Sequence, residues 1–308
     1  MAERARRSSS ASRPLLVSLV KVLGTASCCG MCRAMGTQDD RCVELPRHEW
    51  REGRVRLAVD AVVGEEPLEI RIAGVPIAVV MRTPGQDIDL GTGFLLTEGV
   101  IDRVEDIASI RHCDIIESPE AEDNVLLVRL RPEIDVNLAH LRRNMFTGSS
   151  CGICGKATIV AAMQTTPALS GPLWTIDPAL LGELPDRLRD SQELFARTGG
   201  SHAAGLFDRD GGLRAVREDV GRHNAVDKLI GWAVRENETL ANRVLVVSGR
   251  VSYEIVQKAL MGGIPMICSV SAASSLAIEY AQKAGLTLVS FVRDQRLCVY
   301  AGEGRLAF

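Results

Sequence analysis

Aromatic residues are scarce, 4% of 308 positions, so the chain has little material for an extended base-stacking surface on single-stranded nucleic acid. Neither sign of charge dominates. The 36 Lys and Arg against 39 Asp and Glu leave no broad basic field to hold a duplex backbone, and nucleic acid is not an expected partner. Long uncharged apolar runs are also missing: the best stretch, Leu15 to Leu23, is short and contains Lys21, so no membrane span is expected. Nine cysteines are neither dense nor regularly spaced, which argues against a secreted disulfide framework and for a reducing, cytoplasmic setting. What is present, 46% hydrophobic residues, suffices for a sizeable core and, at this length, for about two domains.

Residues 1–47 differ from the rest. Arg4, Arg6 and Arg7 lead through Ser8-Ser9-Ser10 and a short apolar stretch to Cys28, Cys29 and Cys32. The basic start and the small residues Thr25-Ala26-Ser27 imitate an export signal, but Lys21 interrupts the apolar region. The segment reads better as an extension, disordered or upstream of a true start at Met31 or Met35.

Residues 48–146 read as a small α+β domain. Residues 55–59, 68–72, 77–81 and 124–130 alternate or run apolar between Gly and Pro breaks, as strands do. Pro84-Gly85-Gln86-Asp87 offers a turn and cap for a helix that carries Ile88, Phe94, Leu95 and Val100 on one face and ends near Gly99. Residues 147–308 read as an α/β domain. It opens on the glycine-rich loop Thr147 to Gly155, followed by helices over 156–164 and 185–196 and the apolar run Ala203 to Phe207. Strands over 244–247, 266–270 and 286–292 then alternate with helices over 253–261 and 274–283, a pattern that predicts a mostly parallel sheet. Ligands of such sheets sit beyond the carboxyl ends of the strands. Those ends are Ser248-Gly249-Arg250, Ser269 to Ser271, and Arg293 to Arg296.

Cys151 and Cys154 form a C-x-x-C pair between glycines, ahead of Lys156 and an expected helix. A helix N-terminus and a nearby cation both favour thiolate, the form that attacks sulfur. A glycine-set loop that can visit a donor and then an acceptor suits a carrier. A dithiol–disulfide oxidoreductase needs the same spacing, although such motifs normally follow a strand early in the chain. A structural zinc site needs two more ligands, and His112, Cys113, His202, Cys268 and Cys298 form no second close pair; no metal site is expected. Zinc deaminase chemistry is excluded by the order of motifs and by the lack of a Glu after His202.

Glu218 to Gly231 begins a helix with Val226, Leu229, Ile230 and Ala233 on its apolar face. This puts Gly221, Arg222, His223 and Asn224 at its N-terminus, where free N–H groups favour an anion such as phosphate. A capped surface helix with solvated charges is the plainer alternative. His202, after Thr198-Gly-Gly-Ser201, is a candidate ligand donor or a hydrogen-bonded turn histidine. Arg250, Arg293 and Arg296, expected at strand ends, would be oriented there for bidentate phosphate contacts; for any one of them a plain surface arginine is the alternative.

Several segments in one order resemble the family of formate dehydrogenase accessory sulfurtransferases, FdhD. They are Met81-Arg-Thr-Pro-Gly-Gln-Asp87, Gly93 to Val100, Ser150-Cys-Gly-Ile-Cys-Gly155, Thr198 to Ala204, Glu218 to Lys228 and Phe291-Val-Arg293. One departure is Gln86, at a position associated with His in that family. The resemblance implies a carrier that takes persulfide sulfur from a cysteine desulfurase on Cys151, with Cys154 assisting. It passes the sulfur to molybdenum bound by two molybdopterin guanine dinucleotides, before that cofactor enters formate dehydrogenase. It further implies a cofactor-binding stretch at Phe291, Val292, Arg293, Asp294, Gln295 and Arg296, with Ser248, Arg250, His202, Arg222 and His223 as neighbouring candidates. A cytidine-deaminase-like α/β domain with a smaller partner domain, assembled as a homodimer, is the implied architecture. A cofactor-holding chaperone that transfers no sulfur is the competing reading; it tolerates Cys151→Ala, which a sulfurtransferase does not.

Overall fold

The computed structural model describes residues 39–114, 123–134, 136, 166–167, 169 and 174–308. Cys151, Cys154 and the helix expected over 156–164 lie outside the described residues.

The described chain opens on a two-stranded ribbon, β1 (Cys42–Arg51) and β2 (Arg54–Val63), paired from Cys42↔Val63 to Arg51↔Arg54. Glu52 and Gly53 both take positive φ, 51° and 77°, the two-residue turn whose twist matches that of paired strands. β1 therefore begins inside the segment read as an extension, because 42–51 finds its ladder in 54–63. A second hairpin, β3 (Glu66–Ile72) and β4 (Val75–Arg82), turns at Ala73-Gly74 and is followed by α1 (Asp87–Thr97). With β5 (Ile107–His112) and β6 (Val125–Leu130) it makes a four-stranded sheet of order β4-β3-β6-β5, in which only β3 and β6 run parallel. Leu68, Ile70 and Ile72 point to one buried face, the period of two that the sequence displays.

The larger sheet has six strands in the order β12-β11-β10-β9-β7-β8. They are β7 (His202–Asp208), β8 (Leu213–Asp219), β9 (Arg243–Val247), β10 (Met266–Ser269), β11 (Thr287–Arg293) and β12 (Arg296–Ala301). β9, β10 and β11 pair in parallel and β8 runs the same way, but β7 and β12 run against them, so three of the five adjacent pairs are antiparallel and the sheet is mixed, not mostly parallel. The cause is connection length. β7–β8 and β11–β12 are joined by tight turns, which permit only antiparallel pairing, whereas β9, β10 and β11 are linked through helices.

Helices α2 (Pro178–Asp190), α3 (Glu193–Thr198), α4 (Arg222–Arg235), α5 (Tyr253–Met261) and α6 (Ser275–Ala284) complete the layers. Successive residues of β9 serve opposite faces: Leu245 and Val247 join the core under α4, α5 and α6, while Val244 and Val246 join the core under α2. The helix expected over 185–196 is in fact two. Asp177 accepts from the N–H of Ala179 at 2.8 Å and starts α2 ahead of Pro178. Pro185 lies within α2 and has no N–H to give the carbonyl of Leu181, which is approached instead by the buried Cys268 thiol at 4.0 Å. No helix among the described residues is long and apolar enough to cross a membrane.

The two sheets share one core through α1 and α4, which touch backbone to backbone. A Cβ on Gly93 would sit 1.9 Å from the carbonyl oxygen of Asp227, and one on Gly231 would sit 1.9 Å from that of Asp89. Neither obstacle is a side chain that can swing away. Gly231→Ala is therefore expected to cost about 3 kcal/mol or more by forcing the helices apart. Urea unfolding should show the loss as a lower midpoint; a midpoint within error of the wild type would refute the contact.

Candidate functional site

One end of the larger sheet collects the carboxyl ends of β8, β9, β10 and β11 and the amino end of β7. Ser248 follows β9, and its N–H donates to Ala203 O at 3.0 Å while its Oγ accepts from Ala203 N–H at 2.9 Å. The hydroxyl is thus oriented by backbone and keeps its own proton to donate. Gly249 comes next, and its Cβ position is 3.2 Å from His202 Nδ1 and 3.5 Å from Arg222 Cδ. The absent side chain is what lets imidazole and arginine flank this turn. Ser269 Oγ donates to Gly249 O at 2.8 Å and accepts from Ser271 N–H at 3.0 Å, bracing the turns after β9 and β10 against each other.

The turn that starts α4 is built on Asp219, which is fully buried. Its carboxylate accepts from Thr83 N–H at 3.0 Å, Gly221 N–H at 2.8 Å and Asn224 Nδ2 at 2.9 Å, and pairs with Lys228 at 2.8 Å. Gly221 N–H and Asn224 are therefore committed to the fold rather than to an anion. Arg222 is not: it is half-buried, and its Nε is inaccessible to water with no hydrogen-bond partner. His223 turns inward, its Nε2 2.9 Å from Glu254 Oε2 and 3.2 Å from Ser252 Oγ. Arg250 is exposed beyond Gly249.

A cavity of about 480 Å³ opens beside these turns on the α2 side. Four of the sequence candidates line it: His202, Ser248, Val292 and Arg293. Arg189, Gln192 and Phe195, none of them singled out in the sequence, line it as well. Arg189 stacks over the Phe195 ring at 3.9 Å, a cation–π contact that leaves its guanidinium at the rim. Gln192 is buried, and its Nε2 has no hydrogen-bond partner. Glu218 was also overlooked and holds this wall in place, accepting from Leu194 N–H and Phe195 N–H at 2.8 Å each and from Ser201 Oγ at 2.7 Å. The signal was there: an acid one residue before the structural Asp219, on the opposite face of β8.

The stretch Phe291 to Arg296 spans the end of β11 and the start of β12. Phe291, Asp294 and Gln295 all take positive φ, 56°, 52° and 59°. For an aromatic residue this is an uncommon, costly conformation. Its consequence is a bulge between Ser290 and Arg293, anchored where Phe291 N–H donates to Ser271 O at 3.1 Å. Val292 then faces the core while Arg293 faces the cavity. Arg293 and Arg296 pair across the hairpin, both exposed, with Asp294 and Gln295 at its tip.

Electrostatically the site is cationic without a charged imidazole. Burial lowers the pKa of His202 from its usual value, and Arg222, His223 and Arg250 lower it further against the opposing pull of Asp219. Arginines around a neutral imidazole, a hydroxyl donor and unpartnered amide and guanidinium nitrogens suit an anionic ligand with a polar planar portion. Among the described residues, no group of three or more His, Cys, Asp or Glu is arranged to hold a metal ion.

These features coincide with a family. The sequence profile of the FdhD/NarQ family matches residues 63–307. The chain is 49% identical over 261 residues to the sulfur carrier protein FdhD of Streptomyces coelicolor, covering 83% of this chain and 93% of that protein. It is 48% identical over 248 residues to the sulfur carrier protein FdhD of Mycobacterium tuberculosis, covering 79% and 90%. A crystal structure of a putative formate dehydrogenase accessory protein from Desulfotalea psychrophila superposes with a TM-score of 0.67 at 25% identity, covering 86% of this chain and 99% of that one. With the fold, the motif order and these relatives in agreement, the chain belongs to the FdhD/NarQ family.

Proposed function

We propose that this protein is a sulfurtransferase that carries sulfur as a persulfide on Cys151 and delivers it to the molybdenum cofactor destined for formate dehydrogenase. The observation that carries the reading is convergence. Motifs separated by some 90 residues, Thr198 to Ala204, Glu218 to Lys228 and Phe291 to Arg296, meet at one sheet end around a cationic cavity. The sulfur-carrier role follows the family; the donor, the cofactor and the route are the proposal.

The cargo is the molybdenum ion with its two molybdopterin guanine dinucleotides, an elongated polyanion. Arg293, Arg222 and Arg250 would hold phosphates, and Ser248 would donate to a phosphate oxygen. The unpartnered nitrogens of Arg222 and Gln192 fit this guest, since a buried donor without an acceptor costs free energy that a ligand oxygen recovers. His202, being neutral, can accept a hydrogen bond as well as donate one.

Cys151 and Cys154 supply the chemistry. Thiolate at Cys151 attacks the outer sulfur of the desulfurase persulfide, forms a new S–S bond and releases the desulfurase thiolate. Thiolate at Cys154 then attacks the inner sulfur on Cys151. The outer sulfur leaves as hydrosulfide to the acceptor, and a Cys151–Cys154 disulfide remains, so the second thiol provides the two electrons that turn sulfane sulfur into sulfide. A dithiol reductant resets the pair. This chemistry belongs in the reducing cytoplasm.

Incubation with a cysteine desulfurase and cysteine, followed by intact-protein mass spectrometry, should show a reducible gain of about one sulfur atom on the wild type and on Cys154→Ala, but none on Cys151→Ala. A folded, reduced wild type that gains no mass beside an active desulfurase would leave a cofactor-holding chaperone instead. A second outcome follows from His202. Its folded pKa lies below the unfolded value of about 6.5, so protonation favours the unfolded chain, and stability falls as pH drops through that value. A bound anion opposes this. Affinity for guanosine diphosphate, measured by calorimetry, should rise roughly threefold more in the wild type than in His202→Gln between pH 8 and pH 6. The nucleotide's own phosphate titrates alike in both, so parallel pH profiles would remove His202 from the site.

A further inference from the structure

The cavity of about 480 Å³ is the size of a pocket for one small molecule, whereas the proposed cargo carries two dinucleotides. It has room for one nucleotide end of that cargo. On the sheet side, Ser248, His202 and Arg293 suit phosphates. Pro185, Leu188, Val270 and Val292 give the interior an apolar lining able to hold the faces of a planar ring.

The α2 side is of a different kind, because it adds a carboxylate, Asp186, to an otherwise cationic lining. An acid in an anion site weakens binding unless the ligand brings donors to meet it. The helix does not neutralise this one. Arg187 gives its guanidinium to Glu183 and to Gly211 O, each at 2.7 Å, and Arg189 lies over the Phe195 ring at 3.9 Å. Asp186 is exposed and makes no hydrogen bond or ion pair among the described residues. Gln192 has the opposite need: it is 4% exposed, and its Nε2 is short of an acceptor. This wall thus holds two oxygens that want donors and an amide that wants an acceptor.

We propose that Asp186, assisted by Gln192, reads the base of the bound nucleotide and restricts it to guanine. The assignment rests on the cargo reading of the site and names the residue that selects within it. Along one edge guanine presents the O6 acceptor, then N1–H and the N2 amine, both donors. The Gln192 amide donates to O6, and the Asp186 carboxylate accepts from N1–H and N2–H as a charge-assisted pair. Adenine and cytosine reverse the pattern, with an amine in place of O6 and a ring acceptor in place of N1–H. Gln192 can turn its amide to suit an amine. An ionised carboxylate has only acceptors, so against either base Asp186 faces a lone pair, and discrimination falls to it.

Calorimetry on the full chain with guanosine, inosine, adenosine and cytidine diphosphates tests this, since the four share their phosphates and differ in the base. The wild type should bind guanosine diphosphate about 100-fold more tightly than the adenosine or cytidine compound, with inosine diphosphate, which lacks the N2 amine, in between. Asp186→Asn, a change at an exposed helix position, should keep the far-UV spectrum and the affinity for adenosine diphosphate. It should bring guanosine diphosphate to within about fivefold of that affinity. Arg293→Ala should weaken all four by a common factor. Equal affinities in the wild type, a guanine preference that survives Asp186→Asn, or an equal loss for all four in that variant would overturn the assignment and leave the anion site standing. Binding of none of the four would overturn it together with the cargo reading, while the sulfur adduct on Cys151, read by mass, is independent of both.

Discussion

The close crossing of α1 and α4 at Gly93 and Gly231 is the constraint on which the rest of the architecture depends. It brings the smaller sheet within reach of the larger one and buries polar groups that need partners once water is gone. Lys258 meets Asp227 at 2.9 Å and Glu98 at 3.2 Å, with Thr97 Oγ1 accepting at 3.0 Å. Burial pulls the pKa of this ammonium down, but the two carboxylates outweigh burial and hold it above the ordinary value. Such a cluster adds little net stability over an apolar replacement. Its value is registry: each charge has acceptors in only one placement of the helices.

The same joint sets the site from below. Arg82 is buried and grips Asp87 through two bonds of 3.0 Å, while Thr83 donates its N–H to Asp219, accepts from the Lys228 ammonium at its carbonyl and accepts from Val220 N–H at its hydroxyl oxygen. The segments most recognisable in the sequence, Met81 to Asp87 and Glu218 to Lys228, are therefore bonded to each other. Much of what reads as a binding signature is the fastening that positions Arg222 and His202. Asn224, placed by the sequence at an anion site, gives its amide to Met81 O and Asp219.

Legibility followed packing. Strands with one dry face declared themselves by alternation, as at Leu68, Ile70 and Ile72, and α5 was read to the residue because both its ends carry small-residue turns. β5 (Ile107–His112) was missed because as an edge strand with no fully buried residue it shows no clean period. The direction of β7 was not legible because an apolar run says that a strand is buried, not which way it runs. The cavity was half visible: residues at strand ends were found by a topological rule, whereas Arg189, Gln192 and Phe195 reach it from α2 and the segments after it, by folding that no local pattern encodes. Gln86 is exposed at φ 60°, ahead of α1, and makes no side-chain cap. The structure thus ties that position to a backbone turn, and no capping bond from the side chain explains which residue occupies it.

Strain and charge meet at the hairpin after β11. Three non-glycine residues with positive φ within Phe291 to Gln295 cost about 1–3 kcal/mol each, a cost the surrounding sheet sustains through the buried Val292 and the Phe291–Ser271 bond. An unstrained hairpin would keep strict alternation. The bulge breaks it, so that Val292 enters the core while Arg293 reaches the cavity and Arg296 stands across from it. Cationic side chains held together on such a backbone repel one another, and a histidine placed among them resolves part of that conflict by staying neutral, as His202 does. Under the proposed function, phosphates of the cargo would neutralise the same arginines that disfavour the imidazolium, so protonation of His202 would become easier with the cargo bound. A neutral imidazole spares the arginine cluster one further positive charge, and the strained hairpin can hold Arg293 toward the cavity without that added repulsion.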